Sequence, residues 1–194
     1  MASFTIGLTT LNLPTRVEEA QEIRKPGIMP KLNMEPRRML ILLNNRQRRH
    51  IFKSQQLKKV AVRILSALGC PEGTELSVSI VGDRSIRIIN REYLAKDRPT
   101  NVISFSLQEG DCVGGNLHAL GDVIISADTA AREAEEGGLE FFERLTFLLL
   151  HGILHLCGYD HERSGEAEAQ KMEQKEQQLF RILKKEGLLS PTGL

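Results

Sequence analysis

Hydrophobic positions change period several times along this chain, and each change marks an element. Over residues 1–38 they follow no steady period, and Pro14, Pro26, Pro30 and Pro36, four of the seven prolines, fall among them. Such a segment reads as a poorly ordered extension. Met39-Leu40-Ile41-Leu42-Leu43 opens the patterned region, and Met39–Asn44 is expected to be the first strand. One hypothesis makes Met39 the true initiator and the leader an artefact of start-site choice. Its rival makes the leader a functional arm, and the intact mass of protein from its native source decides between them.

Leu57, Val60, Ala61, Ile64, Leu65 and Leu68 recur at helical spacing and predict an amphipathic helix over about 53–68, ended by Gly69 and Pro71. Residues 76–81 alternate apolar and polar, which predicts a strand. Ile86, Ile89, Asn90 and Tyr93 mark a short helix. A polar turn over 96–101 leads to a strand at 102–107, a glycine-bearing loop at 108–119 and a largely apolar strand at 120–126. A helix follows from Asp128 to Glu136, stopped by Gly137 and Gly138. Residues 139–157 are apolar almost all round, so that helix should be central to the core. A last helix, about 164–186, sets Met172, Leu179, Ile182 and Leu183 on one face. Strands come early and helices late. The expected fold is α+β, a small mixed β-sheet packed by about five helices, with the single domain spanning 39–194.

Composition adds little. The 194 residues are 41% hydrophobic and 26% charged, with a net charge of +1, so bulk charge selects no class of partner. No apolar run approaches the roughly 20 residues needed to span a membrane. Met1 to Leu13 carry no basic n-region, and Glu18, Glu19 and Glu22 argue against an organellar leader. Cys70, Cys112 and Cys157 are odd in number and widely spaced, which fits a reducing cytoplasm better than a disulfide framework. Local clustering says more. Arg37 to Arg63 holds nine Lys or Arg and no Asp or Glu. A solvated helix face would explain many of them, but the absence of acids favours a phosphate-contacting patch of Arg46, Arg48, Arg49 and Lys53, with Lys58 and Lys59.

The chemistry concentrates in His151-Gly152-Ile153-Leu154-His155-Leu156-Cys157-Gly158-Tyr159-Asp160-His161, which holds three of the five histidines. Four residues on a helix turn about 400°, so His151 and His155 sit about 40° apart on one face. Gly158 is placed to end the helix and let the chain return His161 to the same ion. Three neutral nitrogens with one open position describe a catalytic zinc site, although imidazole also suits nickel, copper or iron. Cys157 lies about 240° round from His151 and reads as a small buried residue, not a ligand. The spacing matches that of metzincin peptidases, but Gly152 stands where their general base, Glu, is required. Peptide hydrolysis by that route lacks its proton acceptor. A glycine in mid-helix costs about 1 kcal/mol relative to alanine, so a close helix–strand contact or passing substrate backbone should need the space. An open-position zinc makes a hydrolase centre, and with the basic run this points to phosphodiester hydrolysis.

Three segments, Thr100–Phe105, Leu120–Ser126 and His151–His161, resemble the YbeY family of bacterial rRNA-maturation endoribonucleases in order and spacing, over about residues 39–186. The resemblance implies the α+β fold, one zinc ion on His151, His155 and His161, and cleavage of single-stranded RNA. It further implies 16S rRNA 3′-end maturation and ribosome quality control on the small ribosomal subunit in the bacterial cytoplasm. Ribosomal proteins or an assembly GTPase are the protein partners it suggests, with no membrane. Many members carry Arg directly after the tyrosine of the short helix. Here Leu94 follows Tyr93, and Lys96 or Arg98 is the candidate replacement, Arg98 first.

Weaker candidates are Asp122 as an acceptor for a ligand imidazole, Asp160 and Glu162 beside His161, Ser104 facing the site and His118 in the covering loop. His50 reads as part of the basic face. Two rival functions remain open: a ribosome-assembly RNA-binding factor with a mainly structural metal, and a zinc hydrolase of small molecules. The basic run favours the RNA readings over the last.

Overall fold

The structure, a computed structural model, describes residues 38–107, 118–159 and 165–190. The elements run β1 (Leu40–Asn45), α1 (Ser54–Ala67), β2 (Glu75–Val81), α2 (Asp83–Leu94), β3 (Val102–Ser106), β4 (Ala119–Ser126), α3 (Ala127–Gly137), α4 (Phe141–Leu156) and α5 (Glu166–Lys185). Every element expected from the periodicity forms within about two residues of its expected ends, except that α2 begins three residues before its first expected apolar position. The leader through residue 37, most of the glycine-bearing loop, residues 160–164 and Cys112 lie outside the described residues.

The four strands form a mixed sheet in the order β1-β2-β4-β3. β1–β2 and β2–β4 are parallel, and β3 runs antiparallel along β4. This is the α+β fold the pattern predicts. Strand alternation sends Leu76, Val78 and Ile80 of β2, with Val123 and Ile125 of β4, to one face. There they meet Leu57, Val60, Ile64 and Leu65 of α1, Leu145, Leu149 and Ile153 of α4, and Leu179 and Leu183 of α5. α4 is the helix with apolar residues on every side, and its Leu145, Leu149, Leu150, Ile153 and Leu154 are wholly buried. Full burial of one such side chain contributes roughly 1.5–3 kcal/mol. On the opposite face α2 covers a smaller cluster of Val81, Ile86 and Ile103, with Phe105 and Ile124 beside them.

One irregularity shapes β4. The β2–β4 register slips between Glu75 and Leu76, which face Ala119 and Gly121. Gly121 has φ +145°, and a Cβ there would run into the Phe105 carbonyl oxygen. Only glycine can occupy that position without moving β3.

Candidate metal centre

α4 presents His151 and His155 from consecutive turns. Their Nε2 atoms stand 3.1 Å apart and their ring centroids 4.7 Å apart. Two nitrogens bound tetrahedrally to one zinc, each at about 2.0–2.1 Å, would be about 3.3–3.4 Å apart. The two imidazoles therefore already converge as the ligands of one ion would. The helix ends as its sequence demands. Gly158 lies at φ +86° and donates from its N–H to the His155 carbonyl (3.0 Å), while Tyr159 N–H bonds back to Leu154 (3.1 Å). This double bond with a left-handed glycine satisfies the last carbonyls and turns the chain sharply. Asp160, His161 and Glu162 follow Tyr159 in sequence and are outside the described residues.

One site residue has no place in the sequence reading. Glu176 on α5 accepts from His151 Nδ1 at 2.6 Å, and its side chain is only 13% exposed. A carboxylate on Nδ1 fixes the Nδ1–H tautomer and leaves the Nε2 lone pair for a metal. Its signal was present in the sequence. Met172, Leu179 and Leu183 form the buried stripe of α5, and Glu176 occupies the one polar place in that stripe, four residues after Met172 and three before Leu179. An acid within an apolar stripe calls for a partner.

Gly152, between the two histidines, lies against the sheet. A Cβ there would come within 2.7 and 3.2 Å of the two Val123 methyl carbons and 3.4 Å of Val102. The empty space serves a close helix–strand contact, and a peptidase-like Glu would have no room at its first carbon. Val102 is on edge strand β3, and Ser104 alternates with Ile103 onto the same face, paired with Val123. Ser104 thus does lie on the α4 side of the sheet. Asp122, by the same alternation, points away from Val123 and from the histidines, which removes it as their acceptor. His118 immediately precedes β4, and its carbonyl accepts from Glu75 N–H.

The basic candidates fall elsewhere. Arg46, Arg48, Arg49 and Lys53 are exposed in the β1–α1 connection. That connection packs on the start of α4: the His50 ring lies 5.1 Å from Phe141, and Ile51, Phe52 and Lys53 line a hollow with Glu140, Phe141 and Phe142. His151 and His155 are ten and fourteen residues further along the helix than Phe141, which at 1.5 Å per residue is about 15–20 Å. The structure gathers the four cations into one segment but sets it at the far end of α4 from the histidines. His50 is not part of an open basic face, because its Nε2 lies 3.2 Å from Asp128 Oδ1, with Arg49 at 3.7 Å. Arg98 is exposed between α2 and β3, where its carbonyl accepts from Asn90 Nδ2, and Arg87 pairs with Asp97 beside it. Among the described residues no hydrogen bond or ion pair joins Arg98 to either histidine.

Three further groups, Asp83, Cys70 and Cys157, are perturbed. Burial raises the Asp83 carboxyl, but bonds from Ser126 Oγ (2.5 Å) and Thr129 Oγ1 (2.6 Å), with Arg132 nearby, outweigh it and hold the group below the usual carboxylate range. Cys70 and Cys157 meet across the end of α4. The bond from Cys157 to the Cys70 sulfur lowers Cys70 to about 7 and raises Cys157. Cys157 is half-buried and off the ligand face, as its helical position requires.

Fold and site together define an α+β protein built round a histidine-bearing central helix. Its lineage follows from comparison. The family profile described as Endoribonuclease YbeY matches residues 42–184. The chain is 66% identical over 151 residues to Endoribonuclease YbeY of Geobacter metallireducens, an alignment covering 78% of this chain and all of that one. It is 61% identical, with the same coverage, to Endoribonuclease YbeY of Geobacter sulfurreducens. The solution structure of TM1509 from Thermotoga maritima superposes with a TM-score of 0.51 at 20% identity, covering 79% of this chain and 97% of that one, a likeness of fold. The chain belongs to the YbeY family of endoribonucleases, hydrolases that cut phosphodiester bonds within RNA.

Proposed function

We propose that this protein is a zinc-dependent, single-strand-specific endoribonuclease acting in 16S rRNA 3′-end maturation and ribosome quality control. The carrying observation is the 3.1 Å convergence of His151 and His155 Nε2, with Glu176 on the far nitrogen of His151. His151 and His155 would hold the ion with His161. When bound there, zinc would supply Lewis acidity for phosphodiester hydrolysis. The chain's own residues orient and confine: Glu176 sets the His151 ring, Gly152 seats the helix on Val123, and Ser104 lies on the same side of the sheet. RNA that reaches both the histidines and Arg46, Arg48, Arg49 and Lys53 must run along α4 for about 15–20 Å. Those cations then hold the strand away from the scissile bond, so they act on affinity more than on rate. No helix among the described residues is long and apolar enough to cross a membrane, and a cytoplasmic site of action on the small ribosomal subunit, with ribosomal proteins or an assembly GTPase alongside, agrees with this reading.

The test is cleavage of single-stranded rRNA by the purified protein and by His155→Ala, with metal content measured in both. Loss of cleavage together with zinc supports the proposal. Equal residual cleavage in both would identify a contaminating nuclease and favour an RNA-binding assembly factor.

A further inference from the structure

The outer edge of the sheet at β1 is unlike a protected edge. Among the described residues β1 pairs only with β2. Its sequence, LILLNN, carries no charge and no proline, and Leu40 and Leu42 remain 46% and 54% exposed. Soluble proteins usually blunt such an edge with a charge, a proline, a bulge or a covering element. The backbone is poised for a further strand. Leu40 N–H bonds to Thr74 and Arg46 N–H to Ile80. In a parallel pair the residues alternate, so Ile41, Leu43 and Asn45 turn their N–H and C=O groups to the open side.

A groove of about 520 Å³ runs beside that edge, between β1 and the flank of α1. Met39, Ile41, Val62 and Leu188 give it apolar walls, and Lys58 and Lys59 stand over it. Arg63 at its end is already neutralised by Glu186 at 2.7 Å, whereas neither lysine has a carboxylate partner among the described residues. Among the described residues the lining holds no aromatic ring on which a nucleobase could stack. A second copy of this chain would bring its own lysines against these.

We propose that the β1 edge and its groove form a docking site for an extended acidic peptide segment of a partner protein, added as a fifth strand. Backbone bonds to Ile41, Leu43 and Asn45 hold it. Of the side chains it turns towards α1, apolar ones enter the groove and acidic ones meet Lys58 and Lys59. The site is separate from the histidines and does not depend on the proposed chemistry.

The probe is a fluorescent peptide of about ten residues with serine at every second position and valine or glutamate at the positions between, which share one face, titrated into the full chain and followed by anisotropy. Saturable binding is expected, weakened at least about tenfold by Lys58→Glu with Lys59→Glu, and unchanged by His155→Ala. Leu43→Pro removes an outward N–H without taking a β1–β2 bond and should abolish binding. Should that variant fail to fold, the same peptide N-methylated at alternate residues tests edge pairing from the other side and should not bind. Absence of saturable binding overturns the proposal. So does full affinity for the N-methylated peptide, or for a serine–glutamate peptide without apolar side chains. Displacement of the probe by single-stranded RNA of similar length would assign the groove to nucleic acid. Concentration-dependent dimers abolished by Leu43→Pro would assign it to a second copy.

Discussion

Replacing Gly152 with alanine puts one methyl group where α4 touches the sheet. On helix propensity alone the change should stabilise the protein by about 1 kcal/mol. The contact geometry opposes it. The new carbon would stand 2.7 and 3.2 Å from the Val123 methyls and 3.4 Å from Val102. Val123 is fully buried, and its branched side chain has little rotamer freedom with which to retreat. Overpacking of this kind costs about 1–3 kcal/mol. With two methyls approached at once, the expected net change is a loss of about 1–2 kcal/mol, or about 2–8 °C in Tm for a chain of this size. Zinc binding should weaken as well, because His151 and His155 flank the displaced turn. Urea and thermal unfolding of Gly152→Ala, Val123→Ala and the double variant measure the effect. The double variant should show a favourable coupling of about 1 kcal/mol or more. A Gly152→Ala protein stabilised by about 1 kcal/mol would refute the close-contact account and leave Gly152 unexplained.

Glu176→Ala should weaken zinc binding about 10–100-fold in a chelator competition, with Glu176→Gln intermediate because its amide oxygen still accepts from His151. Gly121→Ala should cost about 2–4 kcal/mol in urea unfolding, since its positive φ and the Phe105 carbonyl both reject a side chain. The Asp83 carboxyl is held low in the folded state, so its contribution to stability is complete above about pH 4 and is lost as pH falls through the folded value. Asp83→Asn should therefore flatten the acid limb of a urea-midpoint profile. Arg98→Ala should slow RNA cleavage about tenfold with zinc content unchanged, and an unaltered rate would remove Arg98 as the replacement for the missing arginine after Tyr93.

The sequence by itself determined the elements and the ligand face. Each period reports whether one side or all sides of a segment are buried, and that is set locally, so α1, α4 and the strands were readable with their ends. The i, i+4 histidines needed only helix geometry, and Gly158 needed only its left-handed conformation. Tertiary structure decided what stands beside them. Glu176 reaches His151 across 25 positions because α5 packs on α4, and no local period states which helices are neighbours. Cys70, just past α1, meets Cys157 because α1 packs on α4, although their wide spacing suggested no relation. The cations of the β1–α1 connection were legible as a phosphate-contacting patch, but their distance from the histidines was not, because charge is visible in sequence and distance is not. The length of α4 sets them about 15–20 Å away. Gly152 shows both sources at work: the sequence required that something occupy the space of a missing side chain, and the packing of α4 on β4 made that something Val123.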